Sequence, residues 1–185
     1  MIDEFLQDAR EHMDKSVDAT RGKFSSVRTG RASPALLDRI LVDYYGAQTP
    51  IRQLATVNAS EARLLTIQPY DKSSIKAIER AIMESDLGLT PNNDGNLIRL
   101  VLPELTEERR KQLVKVVRGL TEEGKVALRN IRRDTMHDLR ELRDAGEAGA
   151  DDEHRAEEAL QKLTDDKVKE LDALLKGKEA EILEV

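Results

Sequence analysis

Apolar residues recur at Ile2, Phe5, Leu6, Ala9, Met13, Val17, Phe24 and Val27, mostly at steps of three and four, with charges between them. That spacing marks one face of an α-helix, so a helix is predicted over residues 1–28. It should stop at Thr29-Gly30, where glycine suits the position after a helix C-terminus. A second helix is predicted over 106–143, with Thr106 as N-cap and Glu107 and Glu108 facing the helix dipole. Leu113, Val117, Leu120, Leu128, Ile131, Leu139 and Leu142 share one side of it. At about 1.5 Å per residue this is a rod of roughly 57 Å, weakened at Gly119 and Gly124 by about 1 kcal/mol each. The small residues of 144–150 break the period. Asp151-Asp152-Glu153 then opens a third helix, striped by Ala156, Leu160, Leu163, Val168, Leu171, Leu175 and Ile182. Three long segments with one apolar stripe each can bury one another as a three-helix bundle.

Residues 31–102 follow another pattern. Ser33-Pro34 suits an N-cap followed by proline at the first helical position. Strands are predicted at Ile40–Tyr45, Ile51–Val57, Arg63–Ile67 and Leu97–Leu102, a helix at Ser74–Ser85, and a turn at Asn92-Asn93-Asp94-Gly95. The expected fold is α+β: an elongated three-helix bundle (residues 1–30 and 104–185) with a small β/α/β domain (31–103) inserted between helices 1 and 2. Two connections join the parts, Thr29-Gly30-Arg31 and Leu102-Pro103-Glu104. They are expected to act as a hinge in a two-armed molecule.

Charge changes this picture more than size does. The chain has 185 residues, 36% of them charged, with a formal net charge of −6. An acidic total argues against a nucleic-acid partner, but the charge is unevenly placed. From Arg109 to Arg143 there are 11 bases and 5 acids, and from Asp144 onward 6 bases and 14 acids. On a helix, Arg118, Lys125, Arg129, Arg132, Arg140 and Arg143 fall within roughly 40° of one line, joined by Lys111. The apolar stripe is centred about 115° away, so the basic line is expected to face solvent as a phosphate-binding ridge. The competing reading is a solvated face laced with i,i+4 ion pairs. Only 3% of residues are aromatic, and none lies on this helix, so recognition would be of backbone and shape rather than by stacking.

The search for reaction chemistry comes out nearly empty. No cysteine is present, which removes disulfides, thiolate metal sites and a thiol nucleophile. No phosphate-cradling glycine loop appears. His12, His137 and His154 are far apart and read as solvated. Asp151-Asp152-Glu153-His154 points in different directions on a helix and reads as capping acids rather than metal ligands. Tyr44-Tyr45 could stack on a partner, but adjacent strand residues face opposite sides, so one should be core. Ser25, Ser26 and Ser33 have no adjacent general base. The expectation is a non-enzyme without cofactor or metal. No apolar run reaches membrane-spanning length, and the acidic start is unlike a secretory signal. A cytoplasmic, monomeric protein is expected.

Several ordered stretches carry a resemblance. Val27-Arg28-Thr29-Gly30-Arg31-Ala32-Ser33-Pro34, Tyr44-Tyr45-Gly46, Pro50-Ile51-Arg52-Gln53-Leu54-Ala55, Ser85-Asp86-Leu87-Gly88-Leu89, Leu105-Thr106-Glu107-Glu108-Arg109-Arg110-Lys111 and Arg129-Asn130-Ile131-Arg132-Arg133-Asp134 resemble the bacterial ribosome recycling factor family over essentially the whole chain. The resemblance implies an L-shaped protein with a flexible hinge. It also implies a role after translation termination: binding the large ribosomal subunit and, with elongation factor G and GTP hydrolysis on that factor, splitting the subunits. It implies ribosomal RNA contacts at Arg129 and Arg132, with Arg133 beside them. Lys125 and Arg118 join through the basic line, and Arg28 and Arg31 through the hinge-side motif. The alternative from another class is a helical protein-interaction or chaperone-cofactor module, which a second exposed apolar stripe would favour.

Overall fold

The computed structural model describes residues 1–27 and 29–184. It divides into two compact units, Met1–Val27 with Glu108–Glu184, and Arg28–Glu107. The first unit consists of α1 (Ile2–Ser25), α4 (Glu107–Asp144) and α5 (Ala150–Leu183). Between α1 and α4 the chain forms β1 (Leu41–Tyr44), β2 (Ala47–Pro50), α2 (Ile51–Leu54), β3 (Ala55–Glu61), β4 (Leu64–Pro69), α3 (Ile75–Glu84), β5 (Pro91–Asn93) and β6 (Ile98–Val101). The chain is thus an α+β protein, a three-helix bundle whose first two helices are separated in sequence by a small α+β unit.

The bundle follows from its stripes. Met13, Val17, Leu128, Leu139, Leu160 and Leu171 form its core with Ala9, Ala156 and Leu163. Each of the Val, Leu and Met side chains contributes roughly 1.5–3 kcal/mol on leaving water. Four threonines lie in this interior. Thr20, Thr121, Thr135 and Thr164 donate their hydroxyls to the carbonyls of Ser16, Val117, Ile131 and Leu160 at 2.8–3.2 Å. These bonds satisfy within one helical turn a polar group that burial would otherwise strand. Gly124 sits where three helices approach. A Cβ there would lie 2.6 Å from Thr20 Oγ1 on α1 and 3.1 Å from Leu171 Cδ1 on α5.

α1 ends at Ser25, earlier than the periodicity predicts. Ser25 and Ser26 turn their hydroxyls onto the carbonyls of Gly22 and Lys23, satisfying acceptors that the end of the helix leaves open. Gly30 stands at φ +75°, several residues beyond that end. α4 lies within one residue of its predicted bounds, and α5 opens with Asp151, Asp152 and Glu153 in its first turn.

In the small unit, β3, β4, β6 and β5 form an antiparallel sheet in that order, and β1 with β2 forms a separate hairpin. Ile75, Ile78 and Ile82 of α3 pack with Val42, Ile51, Leu65, Ile67, Ile98 and Leu100 as one core. Ser33 caps a short 3-10 turn, Pro34–Leu37, by accepting from the amide of Ala35 at 3.3 Å. The strand predicted over Ile51–Val57 is corrected. Ile51–Leu54 is a helical turn that buries both Ile51 and Leu54, and strand pairing begins only at Ala55. Leu102, predicted as part of the hinge, is a core residue of this unit whose amide donates to the carbonyl of Arg63 at 2.8 Å.

Candidate nucleic-acid interface

α4 carries the basic line, and α5 decides how much of it is available. The line does face solvent for most of its length, with Arg118, Arg129, Arg140 and Arg143 exposed and only Lys125 and Arg132 half-buried, but it is not free. The line lies on the flank of α4 next to α5, whose acids meet it. Arg118 Nε pairs with Glu179 at 2.7 Å, Lys125 Nζ with Asp172 at 2.8 Å, Arg140 Nε with Glu157 at 3.8 Å, and Arg143 Nη1 with Glu153 at 2.8 Å. Arg132 Nη1 donates to Gln161 Oε1 at 2.7 Å, and Gln161 in turn donates to Asp165. The helices run antiparallel, so the same spacing read forward on α4 and backward on α5 brings cation to anion rung by rung.

The ladder also perturbs its members. The hydrogen bond to Asp172 raises the Lys125 ammonium pKa, opposed by partial burial. The hydrogen bond to Asp144, with the nearby charge of Glu153, does the same for Arg143. Glu153 itself is buried, so the tetrad of acids and histidine at 151–154 is split. Glu153 turns inward to Arg143, Asp152 pairs with Arg155, and His154 faces solvent beside Glu158. Among the described residues no cluster of histidines and acids could hold a metal ion. Exposed pairs of this kind contribute only about 0.2–1 kcal/mol each, so the ladder matters more for where charge is offered than for stability.

One rung is empty. Continuing the same register, the α5 position opposite Arg129 is Val168, a half-buried residue packed against the bundle core. Arg129 is exposed, and no acid pairs with it among the described residues. Arg133, one turn further along the same side, reaches only its neighbour Asp134 at 3.3 Å and keeps a side chain 72% exposed. Arg132 lies between them, half-buried, with its Nε enclosed and unpartnered. Arg129, Arg132 and Arg133 thus lie within five consecutive residues of α4 and, among the described residues, pair with no acid of α5, so their guanidinium groups can meet an outside anion. The fork geometry of arginine suits phosphate. Of the other predicted contacts, Arg118 and Lys125 are engaged by α5. Arg31 is exposed on the small unit, and Arg28 lies outside the described residues.

Sequence reasoning located the cations and missed the acids that mask them. The signal was present. Arg118 and Lys125 are seven residues apart, and so, in reverse, are Asp172 and Glu179.

A sequence model of the family described as ribosome recycling factor matches residues 20–183. The chain belongs to the ribosome recycling factor family. Ribosome-recycling factors of Rubrobacter xylanophilus and Bacillus subtilis are similar to it. The former is 56% identical over 180 residues, 97% of either chain, and the latter 51% identical over the whole of both. Among solved structures, a solution structure of the ribosome recycling factor matches with a TM-score of 0.81 at 41% identity. It covers 100% of this chain and 98% of the other. A second match has a TM-score of 0.68 at 45% identity and covers 99% of both chains. It is described as models for the T. thermophilus ribosome recycling factor and the E. coli elongation factor G bound to the E. coli post-termination complex. Among the described residues no helix of this recycling-factor chain is long and apolar enough to cross a membrane.

Proposed function

We propose that this chain recycles ribosomes after termination. It binds the large subunit of the post-termination ribosome through ribosomal RNA and, with elongation factor G and GTP hydrolysis on that factor, drives the subunits apart. It acts as a cytoplasmic monomer and catalyses no reaction itself. The observation that carries this reading is the break in the ionic ladder at Arg129, set in a chain that aligns end to end with recycling factors. A helix whose cations were all neutralised by α5 would offer phosphate nothing, whereas this one offers Arg129, Arg132 and Arg133 together.

The mechanical step in this proposal is motion about the two connections between the units. Gly30 supports it from one strand of the joint. At φ +75° it occupies a conformation open to glycine and strained for other residues. On the other strand Leu102 is fixed in the small core and Arg63 reaches Glu104 at 3.6 Å, so the bend is shared by Pro103, Glu104 and the residues after them up to Glu107, where the small unit ends. Thr29, Gly30 and Arg31 complete the joint.

The interaction-module alternative asked for a second apolar stripe. The large apolar side chains exposed on the three helices are Val116, Val126 and Leu183, which form no such stripe. The reading is tested by light scattering of purified post-termination ribosomes. The chain with elongation factor G and GTP should cause a fall in scattering that neither factor gives alone. No fall with all components present would refute it.

A further inference from the structure

All three tyrosines of the chain lie in the small unit, and the RNA contact proposed on α4 uses none of them. Adjacent strand residues should face opposite ways, but Tyr44 and Tyr45 do not. Tyr45 is 82% exposed, yet its ring lies edge-on to that of Tyr44 with centroids 4.5 Å apart. The cause is the backbone. Tyr45 is the only non-glycine among the described residues at positive φ, +51°, followed by Gly46 at +82°. Together they make the two-residue turn between β1 and β2, a turn that ordinarily selects Asn-Gly or Asp-Gly because both central residues need positive φ. A bulky aromatic there is strained, and such outliers point to use rather than to stability.

The surroundings hold the ring in place. Asp43 accepts the amide of Gly46 at 3.0 Å and closes the turn. Tyr44 packs against the small core and donates its hydroxyl to Asp71 at 3.2 Å. Asp71 is fixed by the amide of Ser73 at 2.9 Å. Tyr45 is therefore an aromatic held out from the tip of a hairpin against a braced ring. A ring fixed in this way gives a partner contact area at little entropic cost. Hairpin residues 41–50 contain one acid, Asp43, and no base. Asp71 beside Tyr44 adds a second carboxylate near the tip, next to one base, Lys72, and the carboxylates suit a cation better than a phosphate.

We infer that the Tyr44–Tyr45 hairpin tip is a docking point for a protein surface that presents an arginine or lysine side chain to the Tyr45 ring. Cation–π contact and the flanking carboxylates recognise the same group. The inference rests on the ribosomal role proposed above, since its partner is met on the post-termination ribosome. The test uses the full chain with purified post-termination ribosomes, elongation factor G and GTP. Wild type is run in parallel, so that failure of wild-type splitting counts against the ribosomal role and not against the tip. Tyr45→Asn should fold at least as stably, because asparagine tolerates the turn better, yet lose tenfold or more in splitting rate below saturation. Tyr45→Phe should keep the rate. A photoreactive p-benzoylphenylalanine in place of Tyr45 should cross-link to a protein. Unchanged splitting by Tyr45→Asn, loss of splitting together with a lowered melting temperature, or a cross-link to RNA alone or to nothing would each overturn the inference.

Discussion

A methyl group added at Gly124 should destabilise the three-helix unit, while the same methyl group at Gly119 of the same helix should stabilise it. Both changes gain helix propensity, about 1 kcal/mol for Gly→Ala in a helix interior. Gly119 has nothing within 4 Å of the new Cβ, so the gain stands and Gly119→Ala should be more stable by about that amount. At Gly124 the new Cβ meets Thr20 Oγ1 at 2.6 Å and Leu171 Cδ1 at 3.1 Å. The Thr20 oxygen is one bond from its own Cβ and holds a 3.2 Å bond to Ser16 O. It can yield only by breaking that bond or by pushing α1 away. Overpacking of this kind costs about 1–3 kcal/mol. The propensity gain is common to both variants, so the difference between them is the packing cost. In a unit of this size that difference corresponds to about 4 °C or more in melting temperature. Thermal melts followed by circular dichroism at 222 nm read the bundle. Tyrosine fluorescence reads the small unit separately, since every tyrosine lies there and the chain has no tryptophan. Equal stability of the two variants, or a less stable Gly119→Ala, would refute the reasoning.

Acid should weaken the small unit in a defined window. The amides of Asn96 and Leu97, and then Arg99, hold the Asp94 carboxyl below its usual 3.8. This group's contribution is complete above the unfolded value and is lost as pH falls from about 4 through the lower folded value. Asp94→Asn should flatten the decline of the urea midpoint between pH 5 and 3, read by tyrosine fluorescence, and an unchanged slope would count against it. Asp172→Asn should release Lys125 from its 2.8 Å pair, and so raise affinity for large ribosomal subunits and steepen its salt dependence. Weaker binding by a folded Asp172→Asn chain would contradict the masking role given to α5.

The three long helices were legible because each writes its whole apolar face in one uninterrupted segment. α4, from Glu107 to Asp144, could be bounded to within a residue. The small unit was less legible. Ile51 and Leu54 are buried three residues apart, which fits one helical turn as well as it fits an irregular strand. β2, Ala47–Pro50, and β5, Pro91–Asn93, carry no apolar alternation, because both are short edge elements defined by their partners' register. Tyr45 escaped for another reason. Its exposure comes from a positive φ that no periodicity reports. The candidate interface was half legible. Arg129, Arg132 and Arg133 stood in the sequence, and the family resemblance marked them. Their availability, however, depends on the antiparallel register of two segments far apart in the chain, which places Asp172 and Glu179 on other cations and Val168 opposite Arg129.

The central claim is that the gap in the ladder, rather than the basic line as a whole, holds ribosomal RNA. It is tested most directly by co-sedimentation of the folded chain with purified large ribosomal subunits at two salt concentrations, comparing Arg129→Ala with Arg118→Ala. Removing a phosphate contact should weaken binding and lower the slope of log affinity against log salt by about 1. Arg129→Ala should show both effects, and Arg118→Ala, whose guanidinium is already held by Glu179, should show little of either. Equal losses for the two variants, or none for Arg129→Ala, would contradict the account.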